Sequence, residues 1–297
     1  MFRKFLNAIR VYKSDISIIG GDVSGKVIVP LVRDGNMLRG NYKGQDLLLR
    51  AEDAGAVISD IENRGRYVML TEDPSEGMRI SSDKEYFEGM YRKLAAERLR
   101  SWVELADSVF KDSTKIYMGI GNDDPRELSE AVSGDAIVYS EEKVLELGGG
   151  LELLTLGYSN KTPWNLPGDL SEEELDQKIS VLVSRVSDMN SAIFNLHVPP
   201  YDTTLDIAPK LDKNLKPVVG PTGMETDHVG SIAVRNAITR CQPLLGLHGH
   251  IHESRGSQKI GRTICLNPGS EYDTGILKAA IVNIDQKKVK SHILIAG

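Results

Sequence analysis

A chain of 297 residues is long enough for one large domain or two small ones, and its 40% hydrophobic and 26% charged residues are typical of an ordinary globular protein. The formal net charge of −6 disfavours a nucleic-acid or anionic-membrane partner, and no run of about 18 apolar residues predicts a membrane span. The two cysteines, Cys241 and Cys265, exclude a disulfide framework and favour a reducing cytoplasm.

Helical and strand-like patterns alternate along the chain. Phe2, Phe5, Leu6 and Ile9 predict an amphipathic helix, and its charged residues are not those of a signal peptide. Further helices are predicted near 51–63, 84–110, 171–186 and 231–240. Strands are predicted at 16–19, 67–70, 115–118, 136–139, 151–156, 192–196, 243–247, 263–266, 278–284 and 289–295, with a late turn at 285–286.

Local sequence signals predict one hairpin and add detail to two of these helices. A hairpin is predicted around Gly40 and Gly44. Ser171 and Glu174 form a capping box at the start of a helix. The following residues mark the apolar sides of two helices: Phe87, Tyr91, Leu94, Trp102, Leu105 and Val109 in the first, and Ile179, Leu182, Val183 and Val186 in the second.

Oxygen and nitrogen donors follow four predicted strands: Asp22, Asn122, His197 and the pair His250 and His252. Strand ends are the usual place for ligand sites in α/β proteins, and residues two apart on extended chain point the same way. Three of the six histidines lie between 248 and 252, which favours a metal site over a loop of exposed histidines. Mixed nitrogen and oxygen ligands without thiolate suit manganese, iron or zinc.

The chain resembles a known family through blocks in this order: Gly21-Asp22, Gly121-Asn122-Asp123-Asp124, His197 and Gly249-His250-Ile251-His252. These are similar to four of the five blocks of calcineurin-like metallophosphoesterases. The resemblance implies an α/β fold, namely a four-layer α/β/β/α sandwich with a dinuclear metal centre at the strand ends. It also implies that Asp22 bridges the metals. Asn122, His197 and His250 would then complete the second metal site, and His252 would bind the first metal.

The family's opening block, an Asp-x-His at the end of the first strand, is absent. The first metal would keep only Asp22 and His252, whereas the second would keep all four of its protein ligands. One or two divalent ions per chain are therefore expected. Three explanations stay open: a truncated or misassigned start, a natural single-metal variant, and a degenerate protein.

Asp123 is the second departure, because the family usually has there a histidine that steadies phosphate or protonates the leaving oxygen. A carboxyl group can be a general acid only if its pKa is raised, whereas nearby metal cations lower it. Asp123 is thus a candidate catalytic residue. The alternative is a loop carboxylate that caps the following turn or holds a ligand in place.

The resemblance implies a metal-dependent phosphoesterase that hydrolyses a small phosphomonoester or phosphodiester with metal-activated water. The alternative is a non-catalytic metal-binding or protein-interaction module of the same fold. We expect one domain over 1–297, with 34–110 as an insert or cap that shapes access or carries a homo-oligomer contact. Further candidates for phosphate contacts, each with a surface or capping alternative, are Lys26, His228, Arg235 and Arg255, while His248 is expected to be structural or to support the metal ligands.

Overall fold

The computed structural model describes residues 1–111, 113–221 and 223–297 as a mixed α/β protein with several sheets. The helices are α1 (Phe2–Tyr12), α2 (Gly55–Asn63), α3 (Pro74–Ser82), α4 (Lys84–Phe110), α5 (Glu172–Val183) and α6 (Ile232–Cys241), with 3-10 helices at Arg126–Ala131 and Tyr272–Thr274. The strands of the first third are β1 (Ile16–Ile19), β2 (Ile28–Asp34), β3 (Met37–Tyr42), β4 (Gln45–Arg50) and β5 (Tyr67–Thr71).

The strands continue from residue 115 to the end. They are β6 (Lys115–Met118), β7 (Ile137–Tyr139), β8 (Lys143–Gly148), β9 (Leu151–Leu156), β10 (Ser159–Asn160), β11 (Asp169–Leu170), β12 (Ala192–Leu196), β13 (Ile207–Pro209), β14 (Val219–Gly220), β15 (Gly223–Met224), β16 (Thr226–His228), β17 (Leu245–Leu247), β18 (Gly256–Ile260), β19 (Thr263–Asn267), β20 (Lys278–Asp285) and β21 (Lys288–Ala296). Within the described residues, no helix combines the length and the apolar character needed to cross a membrane.

Two sheets carry the strand ends of interest. The small sheet has the order β1-β6-β7 and is parallel throughout. The large sheet has the order β18-β19-β17-β12-β9-β8, in which the interior strands are parallel and each edge strand is antiparallel to its neighbour. Two further units are a four-stranded sheet, β4-β3-β2-β5, and the antiparallel hairpin β20-β21.

Three apolar cores hold these sheets and helices together. The first core packs α1 and α4 against β6 and β7 of the small sheet, and Phe2 stacks on Trp102 with ring centroids 4.6 Å apart. The second packs side chains of the small sheet and the β20-β21 hairpin against those of the large sheet, including Ile193, Leu245 and Leu266. The third packs α5 and α6 on the large sheet around Phe194. The four-stranded sheet and α2 surround a separate core.

Several local predictions are confirmed. The capping box is present, since the Ser171 hydroxyl accepts from the Glu174 amide at 3.2 Å and the Glu174 carboxylate accepts from the Ser171 amide at 2.8 Å. The predicted helix at 84–110 has those bounds as α4. The late turn, predicted near 285–286, joins β20 to β21 at Gln286 and Lys287.

The predicted hairpin is present as β3 and β4, with Gly40 inside β3 and the turn at Lys43 and Gly44, both of which have positive φ. Two assignments to apolar helix faces are wrong. Val109 of α4 is 38% exposed, because the buried face runs through smaller side chains such as Ala95 and Ala106. Val186 lies beyond the end of α5 but packs against the same core.

Candidate metal centre

The predicted donors follow the carboxyl ends of four parallel strands, and three of them, Asp22, His197 and His250, meet. In the small sheet, β1 pairs with β6 in parallel up to Ile19 and Met118, and the loops that carry Asp22 and Asn122 follow. In the large sheet, β12 and β17 run in parallel, and His197 and His250 follow their ends. Because parallel strands end at the same edge, residues far apart in sequence meet there.

Two glycines allow the loops of the small sheet to touch. A Cβ on Gly21 would lie 2.7 Å from the Cα of Gly121 and 2.9 Å from Nδ1 of His197. A Cβ on Gly121 would collide with the carboxylate of Asp22. Glycine is therefore required at both positions, which explains why each donor loop begins with Gly-Asp or Gly-Asn.

Asp22, His197 and His250 form a group that could hold a metal ion. One ligand atom from each lies within 4.8 Å of the others. Nε2 of His197 is 3.1 Å from Oδ2 of Asp22, and the rings of His197 and His250 have centroids 5.3 Å apart. These residues come from both sheets, so the packing of one sheet on the other creates the group.

The hydrogen bonds of His197 define its role. Its Nδ1 lies 3.0 Å from the carbonyl oxygen of Gly20, which can only accept, so Nδ1 carries a proton. In the neutral ring Nε2 is then an acceptor that faces the Asp22 carboxylate, and two acceptors in contact need a proton or a cation between them. Histidines that bind metals commonly donate their other N–H to a carbonyl in this way.

The pKa shifts of His197 and Asp22 agree with their close contact. Burial alone favours the neutral forms, but the attraction between the two side chains raises the pKa of His197 and lowers the pKa of Asp22. His250 differs, because burial and the neighbouring His197 lower its pKa to about 4. The His250 imidazole is therefore neutral near pH 7 and has a lone pair for a cation.

Asn122 is buried, and one atom of its side chain has no protein partner among the described residues. Its side-chain amide donates to Oδ1 of Asp169 at 2.8 Å, while its Oδ1 is buried and has no hydrogen bond among the described residues. Hydrogen bonds from Thr162 and Asn122 outweigh burial and lower the pKa of Asp169, which keeps it ionised. The sequence gives no signal for Asp169, which is 47 residues away from Asn122.

Two of the three grouped residues have an uncommon backbone. Asp22 has a φ of 50° and His250 a φ of 62°, both in the left-handed region. This region is sparsely populated by residues other than glycine, and such conformations cluster at functional sites. Ser159 stabilises the His250 ring, since its hydroxyl is 3.2 Å from Nε2.

Asp123 lies beside the group but points to a lysine. Its amide donates to Oδ1 of Asp22 at 3.3 Å, and its carboxylate forms an ion pair with Nζ of Lys26. Burial raises the pKa of Asp123, against the opposing effect of Lys26. The lysine partner was one of four cations that the sequence offered for phosphate contacts.

Asp124 clamps the two loops of the small sheet together. It is fully buried, and its carboxylate accepts from the amides of Val23, Ser24 and Gly121 at 3.0, 2.9 and 2.7 Å. It also accepts from the Ser24 hydroxyl at 2.5 Å. Asp124 belongs to the motif Gly121-Asn122-Asp123-Asp124, but the sequence does not predict that it holds two loops together.

His252 lies apart from the three grouped residues. Its ring meets Tyr272 edge to face with centroids 5.9 Å apart. It lines a cavity of about 1150 Å³ that also reaches Asp22 and His250. The cavity continues as a slot between β1 and β20, walled by α1, α4 and apolar side chains of the large sheet. In the described residues, β1 pairs only with β6 and β20 only with β21, so each has one free edge on this slot.

Glu141 is a buried carboxyl group behind the site. Its Oε1 accepts from the amide of Gly157 at 2.7 Å and lies 3.4 Å from Nη1 of Arg126, while its Oε2 has no partner among the described residues. Burial raises the pKa of Glu141 to about 7. Arg126 also donates to the carbonyl of Gly121 at 2.6 Å, which connects Glu141 to the loop of Asn122.

Three of the remaining candidates, His228, Arg235 and His248, have other partners, and a phosphate contact of Arg255 stays a prediction. His228 lies in β16, three residues before Ser231 caps α6, and its Nδ1 is 2.8 Å from the buried Asp206. Arg235 donates to two backbone carbonyls at 2.8 and 2.6 Å. His248 is buried, is close to the carbonyl of Leu196 at 2.8 Å, and has a pKa lowered by burial to about 4.

The comparison of sequences finds one relative without an assigned role. No protein-family model matches the chain. The uncharacterized protein MJ1162 of Methanocaldococcus jannaschii is 33% identical over 160 residues, which is 52% of this chain. The match spans 65% of that protein, slightly less than two thirds of its length.

Solved structures provide a likeness of fold. One aligns with 90% of this chain and 84% of its own, at 14% identity and a TM-score of 0.51. The protein TT1561 of Thermus thermophilus covers 68% of this chain and 79% of its own, at 14% identity and a TM-score of 0.45. The sulfate thiohydrolase SoxB of Thermus thermophilus, in complex with glycerol, aligns with 81% of this chain and 40% of its own, at 10% identity and a TM-score of 0.30. The first shows a shared mixed α/β fold, and scores below 0.5 establish no shared fold.

Proposed function

We propose that the chain is a metal-dependent phosphoesterase of the calcineurin-like type. The observation that carries the proposal is the group of Asp22, His197 and His250, with ligand atoms within 4.8 Å of one another. The unpartnered Oδ1 of buried Asn122 offers a fourth donor. One carboxylate, one amide oxygen and two imidazoles suit manganese, iron or zinc. The residues therefore fit a divalent transition metal.

Some residues would bind the cation, and others would orient those ligands. Asp22, Asn122, His197 and His250 would hold the cation, which when bound supplies a Lewis acid for a phosphoryl oxygen and an acidified water. The carbonyl of Gly20 fixes the ring of His197, and Asp169 fixes the amide of Asn122. The first contact leaves Nε2 of His197 facing Asp22, and the second leaves Oδ1 of Asn122 available, so little reorganisation would accompany binding of a cation.

The order of the cores supports the sandwich expected for this class. Helices α1 and α4 cover the small sheet, the small sheet covers the large one, and α5 and α6 cover the opposite face of the large sheet. Four layers in this order correspond to α/β/β/α packing. The shared fold of the solved structure with a TM-score of 0.51 is consistent with it.

A further strand would complete the proposed fold. We propose that a strand of the same polypeptide fills the slot between β1 and β20, whose facing edges lack strand partners among the described residues. Its end would lie near His252, where the resemblance expects an Asp-x-His block. In-frame codons upstream of Met1 that encode a short apolar run and Asp-x-His would supply it. Their absence would favour a protein with a single metal.

Hydrolysis assays test the proposal directly. We expect the purified, folded protein to bind manganese and to hydrolyse p-nitrophenyl phosphate or bis-p-nitrophenyl phosphate. Metal analysis should find about one ion per chain if only the second site of the family forms, and two if the first also forms. A chain that binds no manganese, iron or zinc would refute the proposal.

A non-catalytic module of the same fold is the second candidate. The observation that favours it is the position of His252 outside the group of three, which leaves the first metal site with few ligands. Protein that binds manganese tightly but hydrolyses neither ester would support this candidate. Its partner would then be sought as a protein and not as a phosphoester.

A further inference from the structure

The loop between β1 and β2 places a lysine next to the metal group. Asp124 accepts hydrogen bonds from Val23 and Ser24, so the loop is fixed at these residues. The Ser24 hydroxyl is also 2.7 Å from the hydroxyl of Tyr91 in α4. Lys26 follows two residues later, and only its side chain has to reach the site.

The ammonium group of Lys26 is held close to Asp22 through one intermediate residue. Lys26 pairs with the Asp123 carboxylate, and the amide of Asp123 donates to Oδ1 of Asp22 at 3.3 Å. The side chains of Lys26 and Asp123 are 40% and 30% exposed, but the Oδ1 of Asp123 that faces Lys26 is itself buried. Solutes therefore reach the pair from the lysine side, where the ammonium group has further donors for a second anion.

Two arginines that could compete for this role are already engaged. Both Nη atoms of Arg126 contact protein oxygens, and its guanidinium lies 4.2 Å from the ring centroid of Tyr158. Arg235 donates to the carbonyls of Tyr201 and Asp202. Neither arginine touches the residues of the metal group in the described part of the chain, whereas Lys26 contacts the neighbour of Asp22.

We propose that Lys26, oriented by Asp123, binds a phosphoryl oxygen of the substrate beside the cation. This role rests on the proposed phosphoesterase function and makes Lys26 a residue that determines substrate preference. Lysine binds phosphate as a point charge, so its attraction grows with the negative charge on the phosphoryl group. The doubly charged end of a phosphomonoester gains more from Lys26 than a singly charged phosphodiester does.

Phosphate binding by the manganese-loaded protein tests the role of Lys26. The variant Lys26→Met keeps the length of the side chain and removes its charge, Lys26→Arg restores a cation, and Lys93→Met removes an exposed lysine of α4 as the matched control. Calorimetry would give first the affinity for manganese and then the affinity of the loaded protein for inorganic phosphate.

We expect Lys26→Met to bind manganese within about twofold of the wild type and phosphate about tenfold more weakly. Lys26→Arg should recover part of the loss, and Lys93→Met should equal the wild type. KM for p-nitrophenyl phosphate should rise more than KM for bis-p-nitrophenyl phosphate, with an unchanged melting temperature. Unchanged phosphate affinity in Lys26→Met with intact manganese binding would overturn the role of Lys26 alone. Failure of the wild type to bind manganese would overturn the proposed function and this role together.

Discussion

The large and small sheets differ in how completely their strands are paired. In the large sheet β9, β12, β17 and β19 each have two neighbours, and this sheet delivers His197 and His250. In the small sheet β1 has one neighbour and borders a slot of about 1150 Å³, and beside that slot His252 stands apart from the group. Strand pairing alone therefore does not decide which donors converge, because Asp22 follows the half-paired β1 and joins the group, whereas His252 follows the fully paired β17 and lines the slot.

Substitution of one histidine inside the group and of one beside the slot should give the largest difference in metal affinity. His197→Ala should lower the affinity for manganese roughly 1,000-fold, because it removes a buried donor and leaves Asp22 without its partner. His252→Ala should lower it by less than about tenfold, since His252 lies outside the group. Calorimetry of both variants gives the ratio. Equal losses would mean that the open side holds a metal as well.

Hydrogen exchange of backbone amides should distinguish β1 of the small sheet from β12 of the large sheet. Amides of β12 are paired on both sides, whereas every second amide of β1 points away from β6 into the slot. We expect those β1 amides to exchange about 100-fold faster than amides of β12. β6, which lies between β1 and β7, is the control and should resemble β12. Equal protection of β1 and β12 would show that the free edge is covered.

Glu141 provides a test where the two sheets meet, since it follows β7 and accepts from Gly157 after β9. Burial raises its pKa from 4.5 to about 7, so the folded protein binds this proton more tightly than the unfolded chain. The resulting stabilisation is complete below the unfolded value of 4.5 and is lost as the pH rises through about 7.

Relative to Glu141→Gln, the wild type should therefore lose about 2 kcal/mol in its free energy of unfolding between about pH 5 and about pH 8. Urea denaturation of both proteins at several pH values measures the difference. Parallel pH profiles would show that the Glu141 carboxyl is hydrated and not perturbed.

Loss of the contact that orients Asn122 should lower the affinity for manganese only modestly. Asp169→Ala removes the acceptor of the Asn122 amide and should lower the affinity for manganese about tenfold. Asp176→Ala, a change at a half-buried aspartate of α5 that pairs with Arg240, is the control. An unchanged affinity in Asp169→Ala would mean that Asn122 is fixed by its loop alone.

In the large sheet, sequence patterns identified the interior strands and missed the edges, and in the four-stranded sheet they missed the interior strand β2. The strands β9, β12 and β17 are apolar runs, which a search for hydrophobic segments finds. The edge strands β8 and β18 were not predicted, because one side of an edge strand faces water and carries polar residues such as Lys143 and Gln258. Helix α3 was missed for the same reason, since none of its residues is buried.

The sequence predicts the donor residues of the site, but it does not predict the residues that orient those donors. Asp22, His197 and His250 follow apolar strands in recognisable short motifs, and the structure groups them. The partners that orient the donors lie far away in sequence: Ser159 contacts His250 across 91 residues, and Lys26 pairs with Asp123 across 97. Without the fold, no spacing rule connects these pairs.

The hydrogen bonds of Asp124 have a consequence for how fast the protein can take up a cation. One buried carboxylate joins loops about 100 residues apart, and it does so with protein donors only. The cavity rim is thus already shaped before any ion arrives, and capture requires no folding step. Uptake should then follow simple one-step kinetics with only a small change in heat capacity, unlike small zinc domains whose chains fold around their metal.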